Sequence, residues 1–207
     1  AAKRLKKLQR IVYCEGEDER ILRAVQIVVD EQLARPILVG RPSVIEKRLE
    51  RAGLRIRPDQ DFEIVNPEFD DRYRSYWQAY LQLTERKGVS EQYAKIEMRR
   101  RHTLIGCMMV HKGDADGMLC GTFGTTDQHL HYIEQVLGRR PGTSVFAAMS
   151  TLMLPERTVT LVDTHVNEDP TAEQVAEITI LAAEEMRRFG IQPKAALLSH
   201  SNFGTSN

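Results

Sequence analysis

Between Asp114 and His131 the chain reads DADGMLCGTFGTTDQHLH, and the residue types in that stretch suit the holding of an anion. A short apolar run, Met118-Leu119-Cys120, lies between glycines. Gly-Thr-Phe-Gly-Thr-Thr then opens into an amphipathic segment, so the spacing predicts strand, tight turn and helix. Gly121 and Gly124 let the backbone approach a ligand closely. Thr125 and Thr126 offer hydroxyls at the helix start, where the free N–H groups of the first turn and the positive end of the helix dipole point outward. A phosphate-bearing ligand fits such a turn. The same turn serves equally well as a structural connection with nothing bound, because a loose glycine spacing is unspecific.

Two further polar segments follow strand-like runs. Asp163-Thr164-His165 comes after Thr158–Val162, and Ser199-His200-Ser201-Asn202-Phe203-Gly204-Thr205 comes after Ala195–Leu198. Open α/β sheets place ligands outside the carboxyl ends of their strands. Asp163, Ser199, His200, Ser201, Asn202, Gly204 and Thr205 therefore join Thr125, Thr126 and His131 as candidates for lining a ligand cleft, with helix capping or loop bracing as the other role for Asp163. Glu15-Gly16-Glu17-Asp18-Glu19 is read as the cap of a helix near its positive end, not as a metal site. His129 and His165 are read as surface or packing residues. The basic run Arg99-Arg100-Arg101-His102 spans too many faces of a helix to be core. It reads as a solvated face, with a subunit or phosphate contact as the alternative.

These residues need elements to position them. Arg10–Cys14 reads as a buried strand, Glu17–Leu33 as a helix with Ile21, Leu22, Val25, Val28 and Val29 on one face, and Pro36–Val39 as a second strand. Ser43 with Glu46 fits a capping box for a helix running to about Gly53. Strand and helix alternating within fifty residues predict a parallel α/β sheet. Phe62–Val65 is a third strand, and Phe69–Arg86 and Ser90–Lys112 read as two long helices. The first carries the stripe Tyr73, Tyr76, Trp77, Tyr80 and Leu81, read as packing. The loop Gly138–Gly142 breaks the pattern and marks a domain boundary. Val145–Leu154 and Thr158–Val162 form a strand pair, Asp169-Pro170-Thr171 starts a helix burying Val175, Ile178, Ile180, Leu181 and Met186, and Ala195–Leu198 is a further strand.

Composition narrows the function classes. Lysines plus arginines equal aspartates plus glutamates at 29 each, so the net charge of zero gives no case for nucleic acid or an anionic membrane. No apolar run reaches the roughly 20 residues of a membrane helix. Cys14, Cys107 and Cys120 are odd in number, sit in or beside apolar runs and lack metal-ligand spacing. They are expected to be reduced core thiols of a cytoplasmic protein. The basic start AAKRLKKLQR reads as a helical lead-in or linker, and the turn-rich end suggests a chain that continues.

RIVYCEGEDERILRA resembles the opening pattern of phosphate acetyltransferases, a strand running into Pro-Glu-Gly-x-Asp-x-Arg. Lys87-Gly88 followed by a helix, DADGMLCG with Thr125-Thr126, SVFAAMSTLMLP, VDTHVNEDPTAEQVAEI and PKAALLSHS fall in that family's order and approximate spacing across the whole chain. The resemblance implies two three-layer α/β lobes with largely parallel sheets and an isocitrate/isopropylmalate dehydrogenase-like architecture. Residues 1–142 would form the first lobe and 143–207 the start of a second whose remainder is absent. It implies a cleft between the lobes of a dimer in which acetyl-CoA exchanges its thiol for phosphate, using a base and cationic groups. The chain departs from that family where the chemistry is done. Arginines of the pattern fall on Thr84 and His131, a cysteine on Thr164, and a serine, an arginine and an aspartate lie beyond Asn207. Losing two guanidiniums removes fixed charge and planar donor forks for phosphate.

DDRYRSYWQAYLQLTERKG, CMMVHKGDADGMLCGTFGTTDQHLHYIEQVLG and LLSHSNFG most resemble the phosphotransacetylase-like C-terminal domain fused to bacterial NADP-dependent malic enzymes. That resemblance implies an inactive regulatory domain that binds acetyl-CoA as effector, has no cofactor of its own and helps form a homodimer or higher homo-oligomer. The malic enzyme part, in the same polypeptide, would convert malate to pyruvate and CO2 with NADP and a divalent metal. The junction of the two parts fits the basic start. Two alternatives stay open: an active phosphate acetyltransferase in which His131 and His200 supply charge, and a purely structural oligomerisation module.

Overall fold

The computed structural model describes residues 7–198. The chain divides into two compact units, the first ending at Gly138 and the second beginning at Arg139. The division falls in the glycine-bounded loop 138–142.

In the first unit β1 (Arg10–Tyr13), β2 (Arg35–Val39), β3 (Glu63–Val65) and β4 (Gly117–Leu119) form one sheet in the order β3-β2-β1-β4, parallel throughout. Val12 lies in register with Ile37 on one side and Met118 on the other. The two-residue period of a strand sends Val12, Cys14, Ile37, Val39 and Val65 to one face and Tyr13 and Leu38 to the other. Helices α1 (Glu19–Asp30) and α2 (Pro42–Ala52) bury Leu22, Val25, Ile45 and Leu49 against the Tyr13 face. Helices α3 (Tyr73–Thr84), α4 (Glu91–Arg100), α5 (His102–Lys112) and α6 (Thr126–Val136) cover the Val12 face. This is the three-layer α/β arrangement expected from the sequence.

The strand order has a consequence for ligands. From β1 to β3 the chain steps outward in one direction, with α1 and α2 on one face. It then returns to the opposite side of β1 to lay down β4, with its helices on the other face. The boundary between β1 and β4 is therefore the topological switch point, outside whose carboxyl ends α/β sheets open a crevice.

The aromatic stripe is packing. Tyr76, Trp77 and Tyr80 are buried, and their polar ends are satisfied: Tyr76 Oη donates to Asp114 Oδ2 at 2.6 Å and Tyr80 Oη to Gln135 Oε1 at 2.7 Å. Lys95 Nζ sits 4.4 Å from the Trp77 ring centroid. Cys14 and Cys107 are buried, Cys120 is half-buried, and all three are free.

Several expectations are corrected. Helix α2 has Arg41 at its N-cap with no side-chain cap bond and Pro42 in its first turn, so Ser43 and Glu46 form no capping box. The fixed φ and missing N–H of Pro42 start the helix before Ser43 can cap it. Ser90–Lys112 is two helices, broken at Arg101 with φ −113° and ψ 95°. Every residue from Thr103 to Met109 is buried whereas Arg99 and Arg100 are exposed. A helix enclosed all round and one with a solvated face need different axes. Helix α3 begins at Tyr73, because Asp70 Oδ1 accepts the Arg72 N–H at 2.9 Å and holds a turn there.

In the second unit β5 (Met149–Met153) and β6 (Thr158–Val162) form an antiparallel pair with Met149 opposite Val162. A connection of four residues permits only that direction, so the described residues of this unit contain no parallel pair. Helix α7 (Ala172–Arg188) is entered through a capping box in which Thr171 and Gln174 exchange bonds. Ile178 is buried, but Ile180, two residues and about 200° further round the helix, is 59% exposed. Ala195–Leu198 joins no ladder among the described residues, since its backbone groups meet no strand edge there. Within the same limits, no helix is long and apolar enough to cross a membrane.

Candidate functional site at the switch point

The end of β1 runs into Glu15-Gly16-Glu17-Asp18. Gly16 is required by close approach: a Cβ there would lie 2.8 Å from Leu38 Cβ and 2.9 Å from Val39 O. Asp18 is the N-cap of α1, and its Oδ1 accepts the Arg20 N–H at 2.8 Å. Glu17 Oε1 accepts from Arg41 Nε at 2.8 Å, and this guanidinium holds the Glu17 carboxyl at about 2. Glu15, buried, reaches across the switch point, where its Oε1 accepts the Gly121 N–H at 3.1 Å. Asp18 thus caps α1 as expected, whereas Glu15 and Glu17 brace neighbouring segments.

The end of β4 runs into Cys120-Gly121-Thr122-Phe123-Gly124-Thr125. Gly121 and Gly124 have φ of 113° and 90°, conformations that favour glycine. Thr125 is the N-cap of α6, its Oγ1 accepting the Gln128 N–H at a long 3.4 Å, and Thr126 opens the helix. Both threonines are exposed. His129 Nε2 lies 2.6 Å from the Phe123 carbonyl oxygen and Nδ1 lies 2.7 Å from Thr103 Oγ1. A carbonyl can only accept, so Nε2 carries a proton, and in the neutral imidazole Nδ1 accepts from the threonine. His129 therefore ties the glycine turn to α5.

The break at Arg101 brings a third element to this edge. A crevice of about 180 Å³ is lined by Glu15, Arg100–Thr103, Phe123, Gly124, Gln128, His129 and Tyr132. Arg100 is exposed and makes no ion pair with the described residues. Arg101 Nε donates to the buried Glu97 at 3.1 Å, and Tyr132 Oη donates to the same carboxylate, which with burial pushes the phenol's pKa up. Burial pushes the His102 imidazole down. Arg101 is taken by Glu97, so the guanidinium of Arg100, beside the starts of α5 and α6, is the one that can hold a small anion here by charge and N–H donation.

The sequence-derived candidates divide as follows. Thr125 and Thr126 stand at the rim of this edge. His131 is exposed on α6, its ring edge-on to Tyr132 at 5.2 Å. Thr84 is enclosed, its hydroxyl donating to Tyr80 O at 2.7 Å, so that position offers no surface to a ligand. In the second unit Asp163 takes the bracing role. Its Oδ1 accepts the Ala148 N–H and its Oδ2 the Asn167 N–H, each at 2.7 Å. Burial would raise its pKa, but these N–H donors keep it below the ordinary carboxylate value. Ser199, His200, Ser201, Asn202, Gly204 and Thr205 lie outside the described residues. A phosphate contact is the alternative reading of Arg99–His102 in the sequence; the structure sets Arg100–Thr103 along the crevice wall, at a turn at Arg101 that an uninterrupted helical pattern does not signal.

A parallel sheet with helices on both faces places the first unit among the doubly wound α/β folds. The chain belongs to the phosphate acetyl/butaryl transferase family, which it matches over residues 1–207. It is 50% identical over 199 residues to the NADP-dependent malic enzyme of Salmonella typhimurium, covering 96% of this chain and 26% of that protein. It is 39% identical over 193 residues to the phosphate acetyltransferase of Nitratidesulfovibrio vulgaris, covering 93% and 27%. Among solved structures, a phosphotransacetylase from Streptococcus pyogenes superposes with a TM-score of 0.83 at 31% identity, covering 98% of this chain and 61% of that one. The chain thus spans about a quarter of the length of these two curated relatives.

Proposed function

We propose that this chain is the phosphotransacetylase-like regulatory part of an NADP-dependent malic enzyme, binding acetyl-CoA or a related acyl-CoA as effector and contributing to a homo-oligomer. The observation that carries this reading is the 50% identity of nearly the whole chain to one quarter of a malic enzyme. A malic enzyme part in the same polypeptide would supply the NADP and metal sites and do the oxidative decarboxylation. The switch-point crevice, with Arg100 and the starts of α5 and α6, suits a phosphate group of a CoA ester. Thr125, Thr126 and His131, together with Ser199, His200, Ser201, Asn202, Gly204 and Thr205, are the proposed ligand contacts, and Asp163 acts by holding the loop after β6.

The domain is proposed to be catalytically silent. His131 stands where the family resemblance puts an arginine, and an imidazole gives neither a permanent charge nor a bidentate fork to a transferring acyl phosphate. Calorimetric titration of the full-length polypeptide with acetyl-CoA is expected to give saturable heat. No heat at millimolar ligand would remove the sensing role. A coupled assay with acetyl-CoA and phosphate is expected to yield no acetyl phosphate, and its formation would favour the active transferase, a reading that the 39% identity to a phosphate acetyltransferase keeps in play.

A further inference from the structure

Cys14 and Cys120 are the residues immediately after β1 and β4, neighbouring parallel strands in which Tyr13 and Leu119 are in register. The Cys14 N–H continues the ladder to Leu119 O at 3.0 Å, so the two cysteines face each other across the switch point. Strand alternation sends both side chains to the layer containing Met118 and α5. Neighbouring parallel strands lie about 4.8 Å apart, inside the roughly 4.4–6.8 Å Cα separation that a disulfide spans. Cys14 is held in place from behind: its Sγ is so close to α5 that a Cβ on Gly106 would come within 2.6 Å of it.

The two thiols also differ in the way a peroxide-reactive pair requires. Cys120 is half-buried and reachable, whereas Cys14 is fully enclosed. The contact between the two thiols lowers the pKa of Cys120, and the same contact, with burial, raises that of Cys14. The thiolate is thus favoured on the accessible member and the proton on its neighbour. Cys107 is enclosed on α5, and burial pushes its thiol up to about 12.

We propose that Cys14 and Cys120 form a reversible dithiol–disulfide pair, a redox modification site that links the ends of β1 and β4 at the switch point, with a hydroperoxide as oxidant. The Cys120 thiolate attacks one peroxide oxygen and the O–O bond breaks. This gives a Cys120 sulfenic acid, and the departing oxygen leaves as water or an alcohol after taking a proton. The Cys14 sulfur then attacks the Cys120 sulfur. The S–S bond forms, the S–O bond breaks, and the hydroxide leaves as water with the Cys14 proton. Two thiols lose two electrons and the peroxide gains them. An external dithiol reverses the step by exchange. The pair needs no ligand in the crevice, so it stands apart from the acyl-CoA reading.

The test is a non-reducing peptide map of the full-length polypeptide after mild hydrogen peroxide treatment and alkylation of remaining thiols. The expected result is a peptide pair joined through Cys14 and Cys120 that separates on adding dithiothreitol. Cys120→Ser is expected to abolish the link and Cys107→Ser to leave it. The wild-type map is decisive without any variant. Two thiols that remain alkylatable, Cys120 carried to sulfinic acid without a link, or a link to Cys107 or between two chains would each overturn the proposal.

Discussion

Two turns leave the same edge of the parallel sheet, and they use the same backbone geometry for opposite ends. The turn from β1 into α1 places three carboxylates near the positive end of a helix. All three are engaged: Glu15 by the Gly121 N–H, Glu17 by Arg41 and Asp18 by the first turn of α1. A second anion there would meet negative charge and spent donors. The turn from β4 into α6 carries no charge before Asp127 and leaves Phe123, Thr125 and Thr126 exposed. Its glycines bend the chain, whereas Gly16 lets one strand end press against another. What separates the two turns is charge: carboxylates fill the first, whereas the second, though its Gly121 N–H bonds Glu15 and its Phe123 carbonyl bonds His129, presents neutral, exposed threonines.

The largest effect expected from this contrast lies at the glycines. Gly16→Ala would drive a methyl into Leu38 and the Val39 backbone, and overpacking against main chain is expected to cost about 3 kcal/mol. Gly121 has open space around its would-be Cβ and only a φ of 113° against substitution, so Gly121→Ala is expected to cost about 2 kcal/mol through strain. Denaturant unfolding of both variants measures the difference, and equal costs would break the distinction between a packed turn and a bent one.

A smaller effect separates the turns by pH. Glu17 titrates at about 2 when folded and near 4.5 when unfolded. Because the folded value is depressed, the stabilisation by Arg41 is complete above about pH 4.5 and lost as the pH falls toward 2. Arg41 is half exposed, so after screening the contribution is about 1 kcal/mol. Glu17→Gln is expected to flatten the acid limb of stability between those values. An unchanged limb would mean that the carboxylates of the first turn are not the engaged set that the comparison requires.

Much of this edge could be read from residue patterns. The short apolar runs at Arg10–Cys14 and Pro36–Val39 and the glycine turn after Leu119 are local signals, and each produced its element. The bond from Glu15 to Gly121 joins residues 106 apart, and no local pattern encodes it. The turn at Arg101 lacks glycine or proline, so the basic run reads as part of one continuous helix, and the wall that Arg100–Thr103 form at the turn has no local signal to place it. Ala195–Leu198 shows the reverse failure. Its composition is that of a strand, but a strand forms only where a neighbour offers an edge, and composition does not report on neighbours.

The smallest expected effect is the most discriminating, because it compares the two caps directly. Asp18 accepts the Arg20 N–H at 2.8 Å and adds negative charge at the start of α1, so Asp18→Ala is expected to cost about 1 kcal/mol. Thr125 accepts the Gln128 N–H at 3.4 Å with a neutral, exposed hydroxyl. Thr125→Ala is expected to cost no more than about 0.5 kcal/mol, the low end for a cap. A hydroxyl that contributes so little to its own helix has little reason, on stability alone, to be there. If Thr125→Ala instead destabilised the unit as much as Asp18→Ala, the α6 start would be as self-satisfied as that of α1, and the second turn would lose its claim to hold a ligand.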